Sequence, residues 1–172
     1  MRVGVVDIGG GSTELVTTDF HVSTQAGVVR QTERHLRSDP PEHEELVALA
    51  ADVRAIFAEA VPEPVQTSVR RAIAVAGTPT SLASIDLGLE PYEPERAHGH
   101  VLGLARIEEL LARLAQMPLT TRREVIGLHP DRAPTIVAGS ILLVEALRTF
   151  GLEAVEVSEH DILRGAALSA AK

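Results

Sequence analysis

One stretch narrows the possible folds more than any other. Asp7-Ile8-Gly9-Gly10-Gly11-Ser12-Thr13-Glu14 joins an apolar, β-branched run at 3–8 to a strand-like alternation at 14–18. A strand, a tight glycine turn and a second strand make a hairpin, so the chain is expected to open with antiparallel β-structure. A hairpin that merely needs glycine is the plain alternative. A two-residue turn rarely needs three glycines, however, and it needs neither an Asp before it nor a Glu after it. Consecutive glycines let backbone approach an anion closely and aim N–H groups at it. Asp7 at the end of a buried strand is a hard-oxygen ligand suited to Mg²⁺, directly or through water. Glu14 adds a second carboxylate, and Ser12 and Thr13 add hydroxyl donors. The turn is not a Walker loop, because no Gly-Lys-Ser/Thr follows. Nor is it a dinucleotide fingerprint, because it leads into a strand instead of a helix.

The rest of the chain extends this start. A third strand is expected over 21–29, completing a meander. Leu46, Leu49, Val53, Ile56 and Phe57 recur at spacings of three and four, which predicts a helix over 41–61. Asp39 lies in its N-cap region, and Pro62 and Pro64 stop it. A short strand at 72–76 feeds Gly77-Thr78-Pro79-Thr80-Ser81, where Thr78 reads as an N-cap and Pro79 suits the first helical turn. Residues 90–99 read as a loop, 104–117 and 133–149 as helices, 154–157 as the last strand, and 158–170 as a final helix. This order predicts an α/β domain with a mixed five-stranded sheet, three antiparallel strands then two βα crossovers, and flanking helices. It matches the half-domain of the ribonuclease-H-like, actin-like ATPase fold, which is normally used in pairs with the ligand in the cleft between them.

Composition removes several function classes. With 172 residues, 45% of them hydrophobic, the chain suits one globular domain. Aromatics are 2% and Trp is absent, which argues against stacking platforms for single-stranded nucleic acid. The net charge of −8 repels polyanions at long range, so no nucleic-acid partner is expected. A phosphate ligand must then be held by local devices. Without Cys there is no disulfide, zinc–thiolate site or thiol nucleophile, which fits a reducing, cytoplasmic setting. No apolar run approaches a membrane span, so no membrane partner is expected. Lys172 is the sole lysine among many arginines, a bias read as that of a GC-rich bacterial genome.

Gly77 and Thr78, where a strand feeds a helix N-terminus, form a second candidate anion site; simple helix capping is the alternative. Arg30, Arg34, Arg37 and Arg132 are candidate phosphate partners, though most arginines are merely solvated. His98 and His100, two histidines of a polar loop without nearby carboxylate ligands, read as exposed residues instead of metal ligands, and His129 and His160 are read the same way. Ser158 with Asp161 reads as a capping box, and Gly139 as a close-packing position against the sheet. No nucleophile–His–acid set appears, so the chemistry points to water attack on a metal-bound phosphate.

These residues resemble a known family. Asp7 to Val16 resembles the second phosphate-binding motif of the exopolyphosphatase/guanosine pentaphosphate phosphohydrolase (Ppx/GppA) family. Further resemblances follow in order: Gly27-Val28-Val29-Arg30-Gln31-Thr32-Glu33-Arg34 to Gly-x-Val-Arg-Leu-Thr-Glu-Arg, Ala76-Gly77-Thr78-Pro79-Thr80-Ser81-Leu82 to Ala-Gly-Thr-x-Thr-Ser-Leu, His129-Pro130-Asp131-Arg132-Ala133 to His-Pro-Gly-Arg-Ala, and Val157-Ser158-Glu159 to a closing Val-Ser-Glu. The resemblance implies Mg²⁺-dependent hydrolysis of phosphoanhydride or phosphate-ester ends, with inorganic polyphosphate or guanosine penta- and tetraphosphate as substrates. It implies that Asp7 and Glu14 are the catalytic acids that position metal and water. Gly9, Gly10, Gly11, Ser12 and Thr13 would cradle phosphate, with Gly77, Thr78 and Arg132 as further contacts. Asp131 stands where the pattern has Gly, which is expected to alter the turn before Arg132. Family members also begin with another actin-like lobe bearing the first phosphate loop and the general base. By that implication residues 1–172 are a single domain equivalent to the second lobe, with the N-terminal lobe absent. Homodimerisation or association with that lobe is expected. The competing expectation is a noncatalytic module that binds phosphate or nucleotide; an actin-like sugar kinase half ranks last, since only Gly77-Thr78 could serve an adenosine loop.

Overall fold

The computed structural model describes residues 2–160. Three strands open it, β1 Arg2–Ile8, β2 Thr13–Val16 and β3 His21–Thr24, followed by helices α1 Val28–His35, α2 His43–Ala60 and α3 Glu63–Gln66. Then come β4 Val69–Val75, α4 Gly77–Leu87, α5 Pro94–Ala97, β5 Val101–Gly103, α6 Leu104–Ala115, α7 Leu119–Arg122, a 3₁₀ turn at Pro130–Arg132, α8 Ile136–Thr149 and β6 Ala154–Val157. The sheet runs β3-β2-β1-β4-β6-β5. β1, β2 and β3 form the antiparallel meander, β4 and β6 run parallel to β1, and β5 closes the edge antiparallel to β6.

The mixed sheet, meander and two crossovers agree with the sequence reading, and a sixth strand is added. β5 has three residues, of which only Leu102 is buried, so no alternation announces it. It is fastened at its start by His100, whose Nε2 lies 2.8 Å from Asp86 Oδ2 at the end of α4. A second difference lies at 25–35. The expected third strand ends at Thr24, and Val28 and Val29, β-branched and strand-like in sequence, begin helix α1 instead. The cause is tertiary: their amides donate to carbonyls of the glycine turn, at 2.9 Å each.

Alternation along β1 sends Gly4, Val6 and Ile8 to the buried side and leaves Val3, Val5 and Asp7 half-buried on the other. Val6, Ile8, Leu15, Ala74 and Val157 join one core with Leu49, Val53 and Phe57 of α2, Leu82 of α4 and Ile107, Leu110 and Leu114 of α6. At the centre is α8, buried at every position from Ile136 to Leu147. Its Glu145, 1% exposed, is neutralised by a two-pronged bond from Arg54 (2.9 and 3.0 Å) and by Arg148 (2.7 Å). Gly139 packs closely as expected, though against α4 rather than the sheet: a Cβ there would lie 2.3 Å from Thr78 Oγ1. That contact fixes the start of α4.

Element ends moved for local reasons. Glu42, not Asp39, caps α2, in a capping box with Glu45. The Asp39 carboxylate instead accepts from the Leu119 amide (2.8 and 3.0 Å). Ser158 Oγ accepts from the His160 amide at 3.0 Å; the helix expected to follow lies outside the described residues.

One buried side chain is out of keeping with the core. Gln31 of α1 is fully buried, and neither its amide oxygen nor its nitrogen has a partner among the described residues. An unpartnered buried amide costs about 1–3 kcal/mol. Gln31→Leu, similar in volume, should therefore raise unfolding free energy by about 1–3 kcal/mol, read as a higher urea midpoint at unchanged slope. A lowered midpoint would mean that Gln31 is hydrogen-bonded in solution.

Candidate functional site

The site is built on strand register. Asp7 and Glu14 are direct partners across the antiparallel β1–β2 pair, and Glu14 is in turn opposite Ser23 on β3. Direct partners project to the same face with Cβ atoms about 4.5–5.5 Å apart, so two carboxylates share one face at the mouth of the hairpin. Glu14 is oriented by two hydroxyls: Ser12 Oγ donates to Oε1 at 2.8 Å and Ser23 Oγ at 2.6 Å. Like charges set opposite one another repel, and a cation between the two would relieve that repulsion. Among the described residues no group of three or more His, Cys, Asp or Glu is placed to hold a metal. A cation here would thus rest on two carboxylates and complete its shell from water or ligand oxygens, as Mg²⁺ commonly does.

The turn itself is held from behind. Gly9 N–H donates to Ser12 O (2.9 Å), closing the reversal. The Gly9 carbonyl accepts from Val28 N–H, the Gly10 carbonyl from Val29 N–H, and the Gly11 carbonyl from Arg30 Nε at 3.1 Å. With the carbonyls drawn onto α1, the amides of Gly10, Gly11 and Ser12 donate to no protein acceptor among the described residues. Three N–H groups without an acceptor among the described residues, beside a carboxylate pair, are the kind of backbone arrangement that can receive an anion. Gly27 permits this docking, since a Cβ there would fall 2.3–2.4 Å from Gly11 C, Gly10 O and Ser12 N.

The second candidate segment lies alongside. β4 is the parallel neighbour of β1, with Val75 opposite Asp7, so the glycine turn and Gly77 leave the same end of the sheet on adjacent strands. Ligands of open α/β sheets gather at such strand ends. Ala76 connects β4 to α4 at φ 77°, ψ −172°, a conformation essentially reserved for glycine. Gly77 is covered by Arg132: a Cβ there would lie 2.6–2.9 Å from the guanidinium carbon and both terminal nitrogens. Arg132 makes no side-chain hydrogen bond or ion pair among the described residues. Asp131 lies within the 3₁₀ turn, its amide donating to His129 Nδ1 at 3.3 Å. Beside Gly77 and Arg132 opens a cavity of about 500 Å³, also lined by Tyr92, Arg123, Glu124 and Glu159. Tyr92 donates to Glu159, and burial together with that carboxylate pushes its hydroxyl pKa far up.

Sequence-predicted residues divide accordingly. Asp7, Glu14, Gly9, Gly10, Gly11 and Ser12 come together at the hairpin mouth, with Gly77 and Arg132 on the adjacent strand end. The Thr13 and Thr78 hydroxyls do not join them. Thr13 is fully buried and donates to Ala26 O, and the Thr78 side chain, 7% exposed, faces Gly139 of α8. Thr78 is not the cap of α4 either, since that position belongs to Ala76. Arg30, one of several candidate cations in sequence, is the one bonded to the turn. In sequence Gly27 stands out only as the first residue of the Gly27–Arg34 resemblance; its steric role against the turn comes from packing.

Comparison with known proteins gives a consistent picture. The family model for the Ppx/GppA phosphatase family matches residues 1–171. Exopolyphosphatase 2 of Mycobacterium tuberculosis is 36% identical over 175 residues, covering 97% of this chain and 55% of the relative. A bifunctional 3-dehydroquinate synthase/phosphatase of Fusobacterium nucleatum is 32% identical over 95% of this chain and 25% of its own length. Among solved structures, the Aquifex aeolicus Ppx/GppA phosphatase matches at TM-score 0.90 and 28% identity over 98% of this chain and 56% of that one. The sheet and its helices are thus of the actin-like fold, and the chain spans about half the length of the exopolyphosphatase and of the solved structure.

The geometry makes two predictions of opposite sign. Gly27→Ala forces a methyl into the turn backbone and should cost at least about 1–3 kcal/mol of stability. Ala76→Gly removes strain of about 1–3 kcal/mol against a glycine entropy cost of about 0.5–1 kcal/mol, and should stabilise by about 1 kcal/mol. Urea melts of both variants check this; a destabilised Ala76→Gly protein would mean that the turn is unstrained.

Proposed function

This chain belongs to the Ppx/GppA phosphatase family, and from that premise we propose that it is the phosphate-binding wall of a Mg²⁺-dependent phosphohydrolase acting on the terminal phosphates of inorganic polyphosphate or of guanosine penta- and tetraphosphate. The observation that carries the reading is the Asp7–Glu14 pair set face to face beside the amides of Gly10, Gly11 and Ser12, which have no acceptor among the described residues.

In this reading the amides receive phosphoryl oxygens. Arg30 at the turn and Arg132 over Gly77 offset their charge. Asp7 and Glu14 would hold Mg²⁺, and Glu14 is kept in one orientation by Ser12 and Ser23. The metal, when bound, supplies charge neutralisation at the phosphoryl group and acidifies a bound water. What these residues contribute is placement: hydrolysis of a phosphoanhydride needs the nucleophile in line and the equatorial oxygens fixed. The general base is assigned to the other actin-like lobe. Because the chain spans about half of the relatives' length, a second reading is a noncatalytic lobe that binds the same phosphates and completes its site by homodimerisation or against that lobe. Either role suits a reducing cytoplasm, in keeping with the absence of Cys; no helix among the described residues is long and apolar enough to cross a membrane.

Calorimetric titration with tripolyphosphate, with and without Mg²⁺, tests the binding role. Asp7→Ala and Glu14→Ala should each abolish the Mg²⁺-dependent part, an affinity loss of at least about tenfold. Phosphate release from long-chain polyphosphate separates the two readings: release that vanishes in both variants identifies a catalyst, and binding without release identifies a binding lobe. Mg²⁺-independent binding that survives both substitutions would defeat the proposal.

A further inference from the structure

Against the turn that carries Arg132 sits a further arginine that the proposed function does not use. Arg122, the last residue of α7, is only 3% exposed, yet among the described residues its carboxylate neighbour, Asp39 through Oδ1, is 3.9 Å away. Its guanidinium is instead surrounded by carbonyls. Nε donates to Leu114 O at 3.0 Å, Nη2 to Met117 O at 2.7 Å and Nη1 to Ala133 O at 3.3 Å. Burial pulls its pKa below the usual arginine value, and Asp39 only partly opposes this. A buried charge without a close counter-charge is unfavourable, so the arrangement asks what it secures.

The three acceptors give the answer. Leu114 and Met117 lie at the carbonyl-rich end of α6 and in the turn beyond it, where a cation is welcome. Ala133 is fully buried and directly follows Arg132. Since the Arg132 side chain makes no hydrogen bond or ion pair of its own among the described residues, the aim of its guanidinium over Gly77 depends on the backbone that carries it. Within the turn, Arg132 N–H donates to His129 O and Thr135 N–H to Arg132 O. These bonds shape the turn but do not tie it to the body of the domain. The Arg122–Ala133 bond does, and a guanidinium spreads its donors over three nitrogens to reach three separated carbonyls, whereas an ammonium donates from a single atom.

We propose that Arg122 is a positioning residue for the phosphate site: acting through the Ala133 carbonyl, it holds the His129–Ala133 turn so that Arg132 stays over Gly77 at the start of α4. Arg122 itself never meets the ligand. The inference rests on the reading of Gly77 and Arg132 as part of the phosphate site.

A double-mutant cycle tests it, with tripolyphosphate in Mg²⁺ as the probe and all titrations run where each variant is folded. Arg122→Lys keeps the charge and loses the fork. It should weaken tripolyphosphate binding several-fold, approaching the loss in Arg132→Ala, and should weaken it no further when Arg132 is already Ala, because coupled residues are non-additive. The Gly77 amide resonance in a ¹⁵N–¹H spectrum supplies a readout independent of binding, and should shift in Arg122→Lys in the same direction as in Arg132→Ala. Additive losses, or a Gly77 resonance left unmoved by Arg122→Lys, would overturn the proposal. A wild-type chain that fails to bind tripolyphosphate would defeat the phosphate-site reading instead, and the Gly77 resonance would then decide on positioning alone.

Discussion

The site depends on a small backbone transaction between the glycine turn and helix α1. A hairpin turn exposes both carbonyls and amides, and an exposed carbonyl beside an anion is repulsive. Here the carbonyls of Gly9 and Gly10 accept from the first turn of α1, and Arg30 takes that of Gly11. The helix thereby satisfies N–H groups that its own geometry leaves without partners, and the turn is left with its amides outward. This inverts the usual arrangement in which a helix N-terminus faces the anion directly. The dipole of α1 is relayed through one layer of peptide groups. Gly27 is the steric condition for that contact, because a side chain there would collide with three backbone atoms of the turn.

A second condition is the parallel pairing of β1 with β4. It sets Asp7 level with Val75, so two strands end side by side and the two segments proposed to receive phosphate follow them. The geometry at the second is forced. α4 must start within one residue of β4 to pack on α8 through Thr78 and Gly139, and Ala76 absorbs the misfit at positive φ. Strain of this kind persists where surrounding contacts over-determine it. The burial of α8 from Ile136 to Leu147 supplies those contacts.

Much of this was legible in the sequence where one residue type does one job. Alternation in β1 and β2, the i, i+3, i+4 pattern of α2, and the pairing of Asp7 with Glu14 across a glycine turn follow from periodicity and turn chemistry. What failed to show has a common physical cause. Val28 and Val29 have β-propensity, but their amides are claimed by the turn, so a tertiary contact overrides the local preference. β5 is three residues long, too short to display a period. Thr13 and Thr78 look like ligand donors because sequence records a hydroxyl but not its direction. Each proved to be a core threonine, one bonded to Ala26 and the other wedged against Gly139. Arg122 was invisible for the converse reason: among many arginines, nothing local distinguishes one buried beneath a turn from one in solvent.

Net charge explains why the site takes the form it does. At −8, the chain cannot draw phosphate by long-range attraction, and an array of lysines on this surface would be largely neutralised by neighbouring carboxylates. Amide N–H groups avoid that difficulty, since each carries a local dipole and no net charge, and their strength depends on aim and exclusion of water. Such a site must be rigid to work. The cations proposed for it would accordingly be pinned by backbone: Arg30 bonds to the Gly11 carbonyl, and Arg132 lies on the turn whose Ala133 carbonyl accepts from Arg122. A carboxylate pair within the same cradle would by itself oppose an anion. In the proposed function a divalent cation joins the two, so that Asp7 and Glu14 would take part in the phosphate's coordination instead of competing with it.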